Sequence, residues 1–238
     1  MGAVFITGTD TGVGKTVVAA GLLASLRGEY LDAVPMKPVQ TGAELENGRL
    51  VSPDLRFCLK AAGLNIKYEK KRLMCPYCFE PECSPHLAAE MSGVSIQIEE
   101  ILRCYNKLLS THKTVIVEGA GGVLAPISES ETMMDIIRAL AIPVVLVARR
   151  GLGTLNHTLL SLSELRHNNV EVLGVILNTV GLDGPDYIVQ DNVKTIEKFV
   201  DVRVLGTIGT IADMSAIGAS FREFVPGWEV VLDRLTAK

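Results

Sequence analysis

The chain has 238 residues, 48% of them apolar, and 23 Lys+Arg against 27 Asp+Glu give a formal net charge of −4. That length suits one large domain or two small ones, and a mean hydropathy of +0.31 excludes extensive disorder. Acids and bases mix along the chain, so no nucleic acid or anionic membrane is expected as partner, and no apolar stretch nears the ~20 residues of a membrane span.

The first predicted element is a strand over 3–8, AVFITG. It begins without a basic leader, which predicts a cytoplasmic protein, and the five cysteines read accordingly as reduced thiols. The stretch GTDTGVGKTVV (8–18) then leads into a helix over 15–27. A P-loop would carry glycine where Thr9 stands; Gly8 is one residue early. The chemistry survives the longer interval. Gly12 and Gly14 allow close backbone approach by phosphates, Lys15 reaches the β- and γ-phosphates, and the Thr16 hydroxyl suits Mg2+.

The next strand, DAVPMKPV (32–39), ends in Lys37 and Pro38, which points an ammonium at the same sheet edge. Residues 42–95 break the β-α rhythm: GAELENGR predicts a mobile loop, followed by a helix from about Pro53. There Ser52 suits the N-cap and Asp54 the first turn, so composition alone assigns Asp54 to capping. CPYCFEPECSPH gives Cys75, Cys78, Cys83 and His86 a spacing that zinc could use, but three prolines in the segment tell against four convergent ligands. This stretch reads as an elaboration over one sheet edge, within a single domain spanning 1–238. Cys58 and Cys104 read as core or helix residues.

A helix is predicted over 97–111, then the strand TVIVEG (114–119). Glu118 closes four apolar residues and precedes a glycine-rich loop, a position that favours metal binding. Further helices are predicted over 132–140, 155–167, 187–199 and 228–236, with strands over 142–148, 170–178 and 202–209. The strands are β-branched runs with little alternation, as expected when both faces are buried. The fold class is therefore α/β: a doubly wound, mainly parallel sheet flanked by helices, P-loop NTPase-like, with ligands at the carboxyl ends of the strands.

Taken together, GTDTGVGKT, KPVQTG, the Asp of PDL, PECSPHLAAE, VEGAGGVLAPI, RRGLGTLNHTLLSL and GVILN resemble dethiobiotin synthetase over nearly the whole chain. The extended loop is itself a feature of that family. The resemblance implies that CO2 (or bicarbonate) adds to 7,8-diaminopelargonic acid as a carbamate, which attacks the γ-phosphate of a nucleoside triphosphate. The second amine then closes the ureido ring and expels phosphate. It implies Lys15 and Lys37 as catalytic cations and Thr16, Asp54 and Glu118 as Mg2+ ligands, which reverses the capping assignment of Asp54. Lys37→Ala is then expected to harm chemistry more than folding.

Nucleotide contacts implied by the resemblance are Gly12, Val13, Gly14, Lys15, Thr16 and Val17 in the loop. Asp54, Gly119, Ala120 and Gly121 join Glu118, and Asn178, Thr207, Ile208 and Gly209 face the base. Thr11, Lys37 and Thr41 would bind the diamine or its carbamate. The helix start Gly151, Leu152, Gly153, Thr154, Leu155 and Asn156 would bind the substrate's distant carboxylate from a neighbouring subunit, which makes a homodimer with shared sites. That helix carries Leu155, Leu159, Leu162 and Leu165 on one face.

Two positions depart from the family. Gly12 stands where relatives often carry Glu, so the loop offers the substrate no carboxylate. Gly209 stands where they commonly have proline, which leaves the base open between ATP and another triphosphate. The rival reading is a nucleotide-switched partition or division-site ATPase. Such proteins place a second lysine in the loop, where this chain has Asp10.

Overall fold

The computed structural model describes residues 2–180, 185–211 and 213–237, so both ends of the expected 1–238 domain lie outside the described residues. In chain order the elements are β1 (Gly2–Gly8), α1 (Lys15–Gly28), β2 (Ala33–Met36), β3 (Val39–Gln40), β4 (Glu44–Glu46), β5 (Arg49–Val51) and α2 (Pro53–Ala61). There follow α3 (Tyr68–Met74), β6 (Tyr77–Cys78), α4 (Pro85–Met91), α5 (Ile98–Leu109), β7 (Thr114–Glu118), α6 (Met133–Leu140) and β8 (Val144–Arg149). The chain continues through α7 (Thr154–His167), β9 (Val172–Asn178), α8 (Asp186–Val200), β10 (Val204–Ile208), α9 (Ile217–Phe224) and α10 (Trp228–Thr236).

Six of these strands form one sheet in the order β10-β9-β8-β1-β7-β2, every neighbouring pair parallel. Both faces are covered, and the strand residues divide accordingly. Ala3 and Phe5 of β1 pack with Val34, Val115 and α5 on one face, while Val4 and Ile6 pack with α1, α9 and α10 on the other. A third cluster joins β8 and β9 to α7 and α8 through Leu146, Leu177, Leu162 and Ile196. Double burial explains why the strands read as apolar runs without alternation. After β7 the chain crosses over β1 to β8, so the order of strands reverses at β1 and leaves a crevice at the carboxyl ends of β1 and β7.

The long predicted strands and helices are present, with ends shifted by at most two residues. Four expectations need correction. GAELENGR is not a mobile loop: β4 and β5 pair antiparallel across Asn47 and Gly48, both with positive φ (50° and 74°). Asn-Gly is the preferred pair for such a two-residue turn, whose twist matches that of the strands. The strand predicted over 32–39 splits into β2 and β3, because Pro38 has no N–H and the Lys37 N–H turns away to the Met74 carbonyl. Helices α3, α4 and α9 carry too few turns, or too mixed a pattern, to show in the sequence. The buried face of α7 is Thr154, Thr158, Ser161, Leu162 and Leu165, whereas Leu155 and Leu159 are only partly buried. Small polar residues thus share the buried face with Leu162 and Leu165, and Leu155 and Leu159 lie at its edge.

Residues 42–95 add Leu55, Leu59, Met74, Phe79 and Ala88 to the same core cluster as Val34 and Met36 of the edge strand β2. This segment therefore fixes what lies beside the crevice.

Candidate active site

The buried β1 delivers the chain to the crevice, and α1 starts there on Gly14, whose φ of 96° suits glycine. No side chain caps α1, and its first turn carries no acid. Its first N–H groups and the positive end of its dipole thus stay available to an anion. The loop is braced from behind: the Asn178 side chain, buried at the end of β9, donates to the Val13 carbonyl at 3.0 Å. Val13 itself is buried, so only its backbone can serve a ligand. Lys15 curls back over the loop and donates to the Asp10 carbonyl at 2.7 Å.

Glu118 reaches the same crevice from β7, beside Ile6 of β1. Its Oε1 accepts from the Thr16 hydroxyl at 2.8 Å and from Lys37 Nζ at 2.7 Å. Lys37 also pairs with Asp54 Oδ2 at 2.7 Å and donates to the Gly119 carbonyl at 3.1 Å. Asp54 therefore serves in two ways at once. Ser52 caps α2, accepting from the Leu55 N–H at 3.0 Å, while Asp54 lies in the first turn and extends its carboxylate to Lys37. Thr16, Asp54 and Glu118 thus bring three hard-oxygen side chains together around one ammonium. This donor set fits Mg2+, which takes carboxylate and hydroxyl oxygens and keeps positions for phosphate and water.

Burial pushes the Lys15 pKa down to about 8; the Lys37 charge adds to this, and Glu118 opposes it. Burial would also lower Lys37, but Glu118 and Asp54 override it and hold that ammonium well above the ordinary lysine value. Lys37 is consequently charged at any working pH, whereas Lys15 is poised to gain or lose a proton. The geometry also corrects an expectation about folding. Glu118 is buried, so Lys37→Ala would strip it of its cation, and unpairing a buried charge typically costs about 3–5 kcal/mol.

These groups open on a cleft of about 670 Å3 that also takes in Thr11, Thr41, Ala120 and Gly121. Gly12 faces open space, as its missing side chain predicts, but the cleft has a carboxylate from elsewhere. Glu82, on the segment before α4, lines it together with Cys83. Glu82 was not legible as a site residue, because nothing local marks it as facing the loop seventy residues earlier in the chain, and Cys83 was read only as a possible zinc ligand. Val17 lies partly buried in the core behind the loop.

Other expected residues lie elsewhere. Thr207, Ile208 and Gly209 end β10, where the Ile208 carbonyl accepts both the N–H and the hydroxyl of Thr179. Residues 151–156 open α7 and do not line the cleft; Leu152 is 89% exposed, and Thr154 is buried against the Thr158 hydroxyl. Between the outer side of the loop and α7 lies a shallower depression of about 390 Å3, bordered by Thr11, Leu124, His157 and Leu160. Cys75 and Cys78 open on a different cavity from Cys83, and no three or more His, Cys, Asp or Glu side chains converge on a metal position among the described residues.

A family profile described as an AAA domain matches residues 2–217. The chain is 36% identical over 213 residues to the ATP-dependent dethiobiotin synthetase BioD of Anoxybacillus flavithermus, covering 89% of this chain and 93% of that protein. It is 42% identical over 178 residues to the protein of the same name from an Anaeromyxobacter species, covering 75% and 77% respectively. Among solved structures, the MinC:MinD cell division protein complex of Aquifex aeolicus aligns with a TM-score of 0.57 over 99% of this chain and 94% of that one. Identity there is 14%, so this likeness shows the P-loop NTPase fold alone.

Proposed function

The chain belongs to the ATP-dependent dethiobiotin synthetase family, and from that premise we propose how its own residues divide the work of an ATP-dependent cyclo-ligase. The observation that carries the reading is one cleft holding the loop's Lys15 and Thr16 with Lys37 between Asp54 and Glu118.

The substrate is 7,8-diaminopelargonic acid, carboxylated on one amine to a carbamate. Carbamate and triphosphate are both anions, and bringing them together is the principal barrier. Lys15 holds the β- and γ-phosphates at the start of α1. Lys37, fixed by two carboxylates and a carbonyl, presents its charge between the phosphoryl group and the carbamate. Such transfers depend on positioning and charge neutralisation more than on covalent help, and loss of one such charge typically lowers turnover ~10²–10³-fold. Carbamate oxygen attacks the γ-phosphorus and ADP leaves; the second amine then attacks the carbamoyl carbon, and phosphate departs as the ring closes.

Mg2+ would be held by Thr16, Asp54 and Glu118 and would neutralise phosphate charge there. Thr11 and Thr41 hydrogen-bond the diamine end. The distant carboxylate is bound by the start of α7 from a second copy of the chain, a role supported by the absence of residues 151–156 from this chain's own cleft. The reading carries a cytoplasmic location with it.

The test is mass spectrometry of a reaction of purified protein with diamine, ¹³C-bicarbonate, Mg2+ and ATP. Dethiobiotin one mass unit heavier is expected. Because Ala at position 37 would leave Glu118 without cation or donor there, Lys37→Gln, whose amide can still donate a hydrogen bond, is the better control, with turnover about 10²–10³-fold lower in a protein whose thermal unfolding is checked in parallel. Product with CTP or GTP but not ATP would reassign the base, and no product with any triphosphate would overturn the reading.

A further inference from the structure

A second cavity, of about 760 Å3, opens beneath the β4–β5 hairpin, on the far side of Ser52 from the active cleft. Arg49, Lys71 and Arg72 line it, with the Arg49 guanidinium 4.4 Å above the ring of Tyr68. The acid in its lining, Glu46, is already paired with Arg56. Two thiols, Cys75 and Cys78, face the same space.

Cys75 closes α3 and Cys78 ends β6, and the chain bends at Pro76 between them. The bend puts Cys75 Sγ 3.4 Å from the Tyr77 carbonyl and sets it beside Cys78 on the wall of the same cavity. That placement makes Cys78 the more acidic thiol, although its partial burial opposes the effect. The nearness of Cys78, together with burial, raises Cys75 well above the ordinary thiol value. An acidic, accessible thiol beside a buried partner is the arrangement that thiol–disulfide exchange uses.

The pair also carries one wall of the active cleft. The Lys37 N–H donates to the Met74 carbonyl at 2.7 Å, and Tyr77 and Phe79 donate to the Pro38 and Gln40 carbonyls at 3.3 and 2.8 Å. Gly42 and Ala43 donate to Pro81 and Phe79 at 3.0 and 2.8 Å. Residues 37–43, which include Lys37 and Thr41, thus hang from residues 74–81 by backbone bonds on either side of the two thiols.

We propose that Cys75 and Cys78 form a reversible redox pair, closed to an intramolecular disulfide by exchange with a small anionic disulfide drawn into the basic cavity, and that closure restrains the wall carrying Lys37. The Cys78 thiolate attacks one sulfur of the incoming disulfide and expels the first small thiolate. Cys75 then gives up its proton, and its thiolate attacks the Cys78 sulfur of the mixed disulfide and expels the second. The protein dithiol is oxidised to a disulfide and the small disulfide is reduced to two thiols, so the exchange balances without any other oxidant.

The experiment treats the full chain with oxidised glutathione and maps disulfides by mass spectrometry of non-reduced peptides. The expected result is a Cys75–Cys78 link, with Cys58, Cys83 and Cys104 still free and full reversal by dithiothreitol. Lys71→Glu with Arg72→Glu should slow closure by oxidised glutathione about tenfold, while closure by the neutral hydroxyethyl disulfide keeps its rate. No link with either disulfide, or a glutathione adduct on Cys78 that never resolves, would overturn the pair. Equal slowing with both disulfides would overturn the anionic reagent. Because the link is read by mass, this outcome does not depend on the activity proposed above. In the dethiobiotin assay the closed form should turn over about tenfold more slowly and recover on reduction, with Cys78→Ser indifferent to oxidant; turnover unchanged by closure would overturn the coupling to the cleft.

Discussion

Two lysines share the cleft, and the carboxylates sort them into different roles. Lys37 is clamped by Glu118 and Asp54 and stays charged, whereas Lys15 is buried, faces another cation and titrates at about 8 in the free protein. A bound triphosphate favours the ammonium form and raises that value, so binding near pH 8 must take up a proton. Calorimetry in buffers of different ionisation enthalpy should record uptake of about half a proton at pH 8 and almost none at pH 6.5. The affinity should accordingly be flat at low pH and weaken as pH climbs through 8; uptake that is independent of pH would mean Lys15 is charged in the free protein.

Glu82 is the carboxylate of the cleft that belongs to neither lysine's clamp. If it meets the diamine's ammonium group, Glu82→Gln should raise KM for the diamine about 2–5-fold, as expected for an exposed charge, and leave KM for ATP unchanged. Steady-state kinetics with each substrate varied in turn distinguishes the two. Residue placement was legible where the signal is local: Lys15 and Thr16 follow from their place after a strand. The Lys37–Asp54 pairing was not, because position 54 carries an equally good local explanation as a first-turn acid, and only the folded chain brings position 37 to it.

Among the elements, α1 packs closely against α9, away from the site. At Gly21 a Cβ would lie 2.6 Å from the ring of Phe221, which is itself fully buried. Gly21→Ala gains about 1 kcal/mol in helix propensity, but displacing the ring costs about 1–3 kcal/mol. Net destabilisation is expected, seen as a lower urea midpoint; Gly21→Ala with Phe221→Leu should recover part of it. The long strands and helices were legible because burial on both faces writes continuous apolar runs. Helix α9, with eight residues and a glycine at its second position, leaves no comparable trace. The face of α7 was misread for a related reason. Thr154, Thr158 and Ser161 pack inward beside Leu162 and Leu165, whereas Leu155 and Leu159 of the same stripe are only partly buried.

For the whole molecule, three exposed leucines outside that stripe are informative. Leu152, Leu160 and Leu124 are 89%, 62% and 52% exposed, and Leu124 and Leu160 border the depression between α7 and the phosphate-binding loop. A second copy seated there would cover them and bring a helix start towards the substrate end of the cleft. Sedimentation should therefore show a dimer with or without nucleotide, and Leu160→Glu should shift it to monomer and abolish turnover while leaving nucleotide binding measurable. A dimer that forms only with ATP would instead favour a nucleotide-switched ATPase.

The strand order also governs when the site can exist. β1, which launches the loop, pairs with β7 through Ile6 and Glu118 and with β8 through Phe5 and Val144. Both flanking strands are made more than a hundred residues after it. During synthesis, β1 waits with both edges unpaired until β7 has emerged, and with one edge unpaired until β8 follows. The nucleotide therefore cannot act as an early template for folding. It can only reward a sheet already zipped from both sides, and a turn translated long before the strands beside it is among the last parts to become able to hold a phosphate.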